Sequence, residues 1–143
     1  MNAPEPSLEH LGTVELRIPS RPEWVAVARL AVAAIGNRLP FSVEEIEDLK
    51  LAIAEACTIC IQQAGGIQTI DIVCDVASAH LRVDVRDGRY RTLAEGGAKR
   101  PSMMAVETEG LGIFLIQALM DNLEYNVDPH YGAQLVMTKR VGA

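Results

Sequence analysis

Aromatic side chains are scarce in this chain. One tryptophan, three tyrosines and two phenylalanines make up 4% of 143 residues, although 49% of the residues are hydrophobic. The core must therefore be built from Ala, Val, Ile and Leu. Basic clusters are missing as well. Lys and Arg number 13 against 19 Asp and Glu, for a formal charge of −6, and basic residues never exceed isolated pairs. Neutralising a phosphate backbone needs a basic surface, so nucleic acid is not expected as a partner. The charge fits a protein that touches basic protein surfaces, but its sign names no partner. No apolar run approaches the ~18 residues that span a bilayer, so no membrane partner is expected. Three cysteines, an odd number, with no secretory signal, read as a reduced cytoplasmic protein. The length fits one domain with a single core. No internal repeat is present.

The first ten residues hold two prolines and few apolar groups. Residues 1–12 are expected as a flexible arm and 13–143 as the domain. Thr13–Ile18 alternates charged with small or apolar side chains, the period of a half-buried strand. Ser20 with Pro22 reads as a helix start, and Gly36-Asn37 as its stop. Ser42 and Glu45 form a capping box opening a second helix to about Ala64. Ile46, Leu49, Ile53, Ala56, Cys57 and Cys60 share one face of it at helical spacing; Asp48, Glu55 and Gln62 share the other. Ile67–Asp75 and Ala79–Arg86 read as a hairpin. Asp87–Thr108 has no clear period, and a loop of that length is functional or mobile in most compact domains. Glu109–Asp121 reads as a helix, and Leu123–Val127 with Ala133–Lys139 as a closing strand pair. Interleaved helices and hairpins predict an α+β two-layer sandwich. Its sheet is expected to be mixed, mostly antiparallel, and covered on one face by helices.

Three segments carry more than fold. Glu109–Asp121 (EGLGIFLIQALMD) runs a Gly-Leu-Gly turn into an apolar helix. Gly110 and Gly112 remove bulk where a backbone approaches a ligand, and the helix start behind them offers free N–H groups. Taken alone, such a pair is an ordinary turn. About fifty residues upstream stands IEDLKLAIAEACT, and Met137–Lys139 closes the chain with MTK. Together these resemble the anti-sigma-factor serine kinases of the RsbW and SpoIIAB type, within the GHKL (Bergerat) ATPase superfamily. The resemblance covers nearly the whole chain.

The resemblance implies ATP or ADP with Mg²⁺ between helices and sheet. It implies a sigma factor and an anti-sigma antagonist (STAS-like) protein as partners, in bacterial partner switching and the stress response. It also implies a possible homodimer. Glu55 would be the general base on the antagonist's serine; read on its own it is a solvated helix-face carboxylate. In the family an Asn four residues on helps hold Mg²⁺, and i and i+4 share a helix face. Here that position is Ile59, which cannot ligate a metal demanding oxygen. Ile59 lies well round the helix from the core stripe, so it is either exposed or faces a pocket turned apolar. Asp87, with Gly88, would take the place of the family's Asp-x-Gly, whose carboxylate accepts the adenine amine. The spacing is one residue short, and an Asp-Gly turn is the plain reading. Tyr90 would replace an aromatic that often follows. The backbone of Gly110, Leu111 and Gly112 would meet the phosphates, while the apolar side chains there are core. Thr138 would sit beside the adenine-binding Asp, or is simply a β-branched strand residue. Lys99 and Arg100 would reach a phosphate or an acidic partner, or are a solvated loop pair. Cys57 and Cys60 have zinc or redox spacing, with Cys74, His80 and His130 as scattered partners, but inside a helix they read as core. Two functions stay open. One is an ATP-dependent serine/threonine protein kinase with impaired Mg-ATP chemistry. The other is a nucleotide-independent module that sequesters a sigma factor or regulatory protein.

Overall fold

The computed structural model describes residues 9–62, 69–88, 110–128 and 132–142. Strand β1 (His10–Pro19) leads through a 3-10 turn (Pro22–Trp24) into helix α1 (Val25–Gly36) and then α2 (Val43–Gln62). A hairpin follows, β2 (Thr69–Ala77) and β3 (His80–Asp87). Helix α3 (Gly110–Leu119) and the pair β4 (Asn122–Asp128) and β5 (Gly132–Arg140) complete the fold. The sheet order is β1-β2-β3-β5-β4. Every pairing is antiparallel, so the expected mixed sheet holds no parallel pair among the described residues. The expected α+β sandwich is otherwise observed, with β1 beginning at His10 rather than Thr13.

Side chains alternate across each strand, and register decides which face each one joins. One face carries Ile18, Ile70, Ile72, Cys74, Leu81, Val83, Val85, Leu135 and Met137, all buried under the helices. Helix α2 lies in the middle of that layer and packs on both α1 and α3. Its predicted apolar stripe, from Ile46 to Cys60, is buried throughout. No helix among the described residues is long and apolar enough to cross a membrane.

The start of α2 is the capping box expected from Ser42 and Glu45. Ser42 Oγ accepts from the Glu45 N–H at 3.0 Å, and Glu45 Oε1 accepts from the Ser42 N–H at 2.8 Å. The Ser42 N–H bond holds the Glu45 carboxyl below its ordinary 4.5. Ser42→Ala is expected to lower stability by about 1 kcal/mol, measured by urea melts, because an orphan helix donor loses its acceptor.

One helix-end expectation is corrected. Ser20 is not the cap of the first helix. The Arg21 N–H bonds Pro19 O at 2.8 Å and turns the chain there, so Arg21 caps the 3-10 turn, Trp24 caps α1, and Ser20 Oγ is buried without a hydrogen bond. Helix α1 ends at Gly36 with Asn37 as its cap, where the sequence placed its stop. Asn37 is right-handed (φ −67°), and the chain leaves by short bonds such as Leu39 N–H to Gly36 O at 2.9 Å. Gly36 also lets α1 approach α2, since a Cβ there would meet Ile46 Cδ1 at 3.0 Å and Leu49 Cδ1 at 3.2 Å.

Candidate functional site

The second half of α2 carries the site candidates because its polar edge turns toward α3 and the end of β3. Glu55 is half-buried, and Ile59, one turn on, is only 3% exposed. Both face the start of α3. A Cβ built on Gly112 would stand 3.3 Å from Ile59 Cδ1 and 3.9 Å from Glu55 Oε1. Ile59 is therefore not exposed; it fills the space that the missing Gly112 side chain leaves. Gly110 is open, with nothing within 4 Å of its Cβ position.

Asp87 ends β3 on the helix-covered face, in the apolar row of Ile18 and Ile70. It is 0% exposed. A carboxylate with no surface in contact with water is costly to bury, which makes it the most distinctive polar group on that face. Gly132, at the start of β5, has φ +90°, and a Cβ there would lie 2.5 Å from Asp87 Oδ2. Gly88 is pressed in the same way against the Thr69 hydroxyl. Gly132 and Thr69 were not singled out from the sequence. The turn Asp-Pro-His-Tyr-Gly marks Gly132 only as a loop residue.

Cys60 is buried beside Ile59, and its thiol is pushed well above 9.0 by burial, with the Cys57 thiol and the Asp87 and Asp84 carboxylates adding. Burial alone pushes Cys57 up to about 12; Cys74 also reaches about 12, through burial and then Asp75. These are core thiols, not thiolates, and no metal-holding group of three or more His, Cys, Asp or Glu occurs among the described residues. Burial and the raised thiol pKa values agree with the reading of Cys57 and Cys60 as core residues. A thiol reagent at pH 8 is expected to leave the native chain untouched and to label all three cysteines after unfolding. Above pH 9 the unfolded chain sheds thiol protons that the folded chain keeps. The stability these thiols contribute below that pH is then lost by about 1.4 kcal/mol per pH unit per cysteine, readable in urea melts from pH 8 to 10.

Other expectations fall elsewhere. Thr138 pairs with Arg82, so it faces away from the helices, while Asp87 faces them five residues further along β3. The two do not meet, and the reason is strand parity. Leu111 and Phe114 are 84% and 68% exposed, so they are not core; only the Ile113 and Ile116 side of α3 packs inward. Asn37 closes α1 and Gln62 is exposed at the end of α2; neither is placed beside Gly112. Tyr90, Lys99, Arg100 and His130 lie outside the described residues, as does most of the Asp87–Thr108 loop.

The face of the sheet turned away from the helices carries a polar row, Arg17, Asp71, Arg86, Gln134 and Asn126 in register. Arg17 Nε donates to Asp71 Oδ1 at 2.7 Å. At the far edge, Lys139 Nζ reaches under α3 to donate to Leu119 O at 2.6 Å and to Asp48 Oδ2 at 3.4 Å. This ties the end of α3 to α2, a cation at a helix C-terminus.

The magnesium site that the resemblance implies does not fit these residues. Among the described residues, the atoms nearest the Gly112 Cβ position are those of Ile59, a packed aliphatic side chain, and one carboxylate oxygen of Glu55. Mg²⁺ is held by oxygens in near-octahedral geometry, and Ile59 offers none.

Residues 18–139 match the profile of the histidine kinase-like ATPase domain. The chain is 33% identical over 138 residues to serine-protein kinase RsbW of Oceanobacillus iheyensis, covering 90% of this chain and 86% of that protein. It is also 33% identical over 143 residues to serine-protein kinase RsbW of Bacillus mycoides, covering 94% of this chain and 88% of that protein. Serine-protein kinase RsbW of Bacillus cereus matches at the same 33% and the same coverage.

Proposed function

The chain belongs to the histidine kinase-like ATPase domain family, and from that membership we propose that it is an anti-sigma-factor-type regulator with impaired Mg-ATP chemistry. It acts in a bacterial partner-switching system that controls transcription, in the cytoplasm, on a sigma factor and an antagonist protein. Its nucleotide is ATP or ADP. Asp87 accepts the adenine amine, and the backbone at Gly110, Leu111 and Gly112 faces the phosphates. Glu55 is the base toward the antagonist's serine.

One observation carries the impairment: Ile59, buried against Gly112, stands where the family's metal-holding Asn is expected. A metal supplies several kcal/mol of charge stabilisation in phosphoryl transfer. Its poor retention corresponds to a rate lower by roughly 10²–10³. A second reading, a module that binds its partner without nucleotide, is favoured by apolar side chains left open on two helices, Val27 and Leu30 on α1 and Leu111 and Phe114 on α3.

The regulator reading is tested by titrating the purified chain against each alternative sigma factor of its source, by size exclusion with and without ADP. A stable complex with one of them is expected. Absence of any complex in either condition contradicts the reading.

A further inference from the structure

The disagreement between this site and a magnesium nucleotide has a consequence for what the site binds. Two ends of the site differ in kind. At one end stands the fully buried Asp87 carboxylate, backed by Gly132 and Ile70. At the other end Ile59 and Glu55 close on Gly112. On the adenine reading of Asp87 the first end takes the base. The second sets a buried hydrocarbon side chain and a half-buried carboxylate against the first turn of α3.

We propose that this site takes an adenine nucleotide through its base, and that a divalent cation contributes nothing to the affinity. The proposal rests on the adenine reading of Asp87 given above. A cation normally bridges the β- and γ-oxygens and neutralises them. Here it gains no protein oxygen from Ile59, and entering this spot would strip its water against a methyl group. Without that bridge each further phosphate adds negative charge near Glu55, which offsets any added contact with the first turn of α3. The ligand class that follows is an adenine nucleotide in which the terminal phosphate is not rewarded, with ADP bound at least as tightly as ATP.

Calorimetric titration of the full chain with ADP and with ATP, in excess MgCl₂ and in EDTA, decides this. The expected result is a dissociation constant for each nucleotide that agrees within about twofold between the two buffers, well inside the tenfold that 1.4 kcal/mol represents. In Ile59→Asn, Mg²⁺ is expected to tighten ATP binding about tenfold, the effect of one restored oxygen ligand. Wild-type binding of ATP that is tenfold tighter in Mg²⁺ than in EDTA overturns the proposal and leaves the adenine reading standing. An Ile59→Asn chain that melts cooperatively yet gains nothing from Mg²⁺ overturns the assignment to Ile59. No heat from either nucleotide in either buffer overturns the adenine reading, and the proposal with it. The wild-type comparison decides the question whether or not the variant folds.

Discussion

Gly132→Ala is expected to destabilise the chain by about 2–5 kcal/mol. Two independent causes add. The residue has φ +90°, a conformation that side chains with a Cβ rarely adopt. The new methyl would also lie 2.5 Å from Asp87 Oδ2 and 2.7 Å from its Cγ. The carboxylate has little room to retreat, because Asp87 is 0% exposed. Urea melts measure the loss. The causes separate in the double variant with Asp87→Ala, which removes the two closest atoms, Oδ2 and Cγ, and leaves the backbone strain with only the 3.0 Å approach to the residue-87 Cβ. The cost of Gly132→Ala should shrink in that background to about the strain alone, 1–3 kcal/mol. An equal cost in both backgrounds would show that the carboxylate does not press on Gly132.

Asp87→Asn is expected to weaken ADP binding by about 10–100-fold, the range for a hydrogen bond to a charged group. The change alters chemistry more than shape. A carboxylate only accepts, whereas an amide also donates, and a donor facing the adenine amine is mismatched. Base preference should therefore move as well. The wild-type chain should prefer adenine to hypoxanthine nucleotides, and Asp87→Asn should lose much of that preference. Titration with ADP and IDP reads both effects. An unchanged dissociation constant for ADP would show that Asp87 does not touch the base.

Local signals in the sequence translated well into structure. Ser42 and Glu45 lie three residues apart and form both capping bonds, because a capping box is complete within four residues. The α2 stripe is buried as its spacing implies. Features that depend on distant chain were less readable. Ile59 left two options open, exposed or facing an apolar pocket, and only the position of Gly112 on α3 decides between them. Thr138 was placed beside Asp87 on the strength of a strand motif. A motif does not carry parity, and pairing with Arg82 turns Thr138 to the other face. Gly36-Asn37 ends α1 as its residues imply, but that the missing Gly36 side chain also serves the α1–α2 contact was not legible, because it depends on Ile46 and Leu49 of the next helix. Leu111 and Phe114 looked like core because the α3 segment is apolar all round. A helix on the flank of the layer buries only one stripe, and here Ile113 and Ile116 are that stripe. Gly132 drew no notice because both of its roles need coordinates, a backbone angle and a carboxylate 45 residues away in sequence.

The central claim is that an aliphatic residue at position 59 impairs Mg-ATP chemistry in an otherwise family-like regulator. The most direct measurement is transfer of radiolabelled γ-phosphoryl from ATP to the antagonist in Mg²⁺, compared with an RsbW serine-protein kinase acting on its own antagonist. The account predicts transfer slower by roughly 10²–10³, with partial recovery in Ile59→Asn. Transfer by the wild-type chain at the rate of the comparison kinase would contradict it.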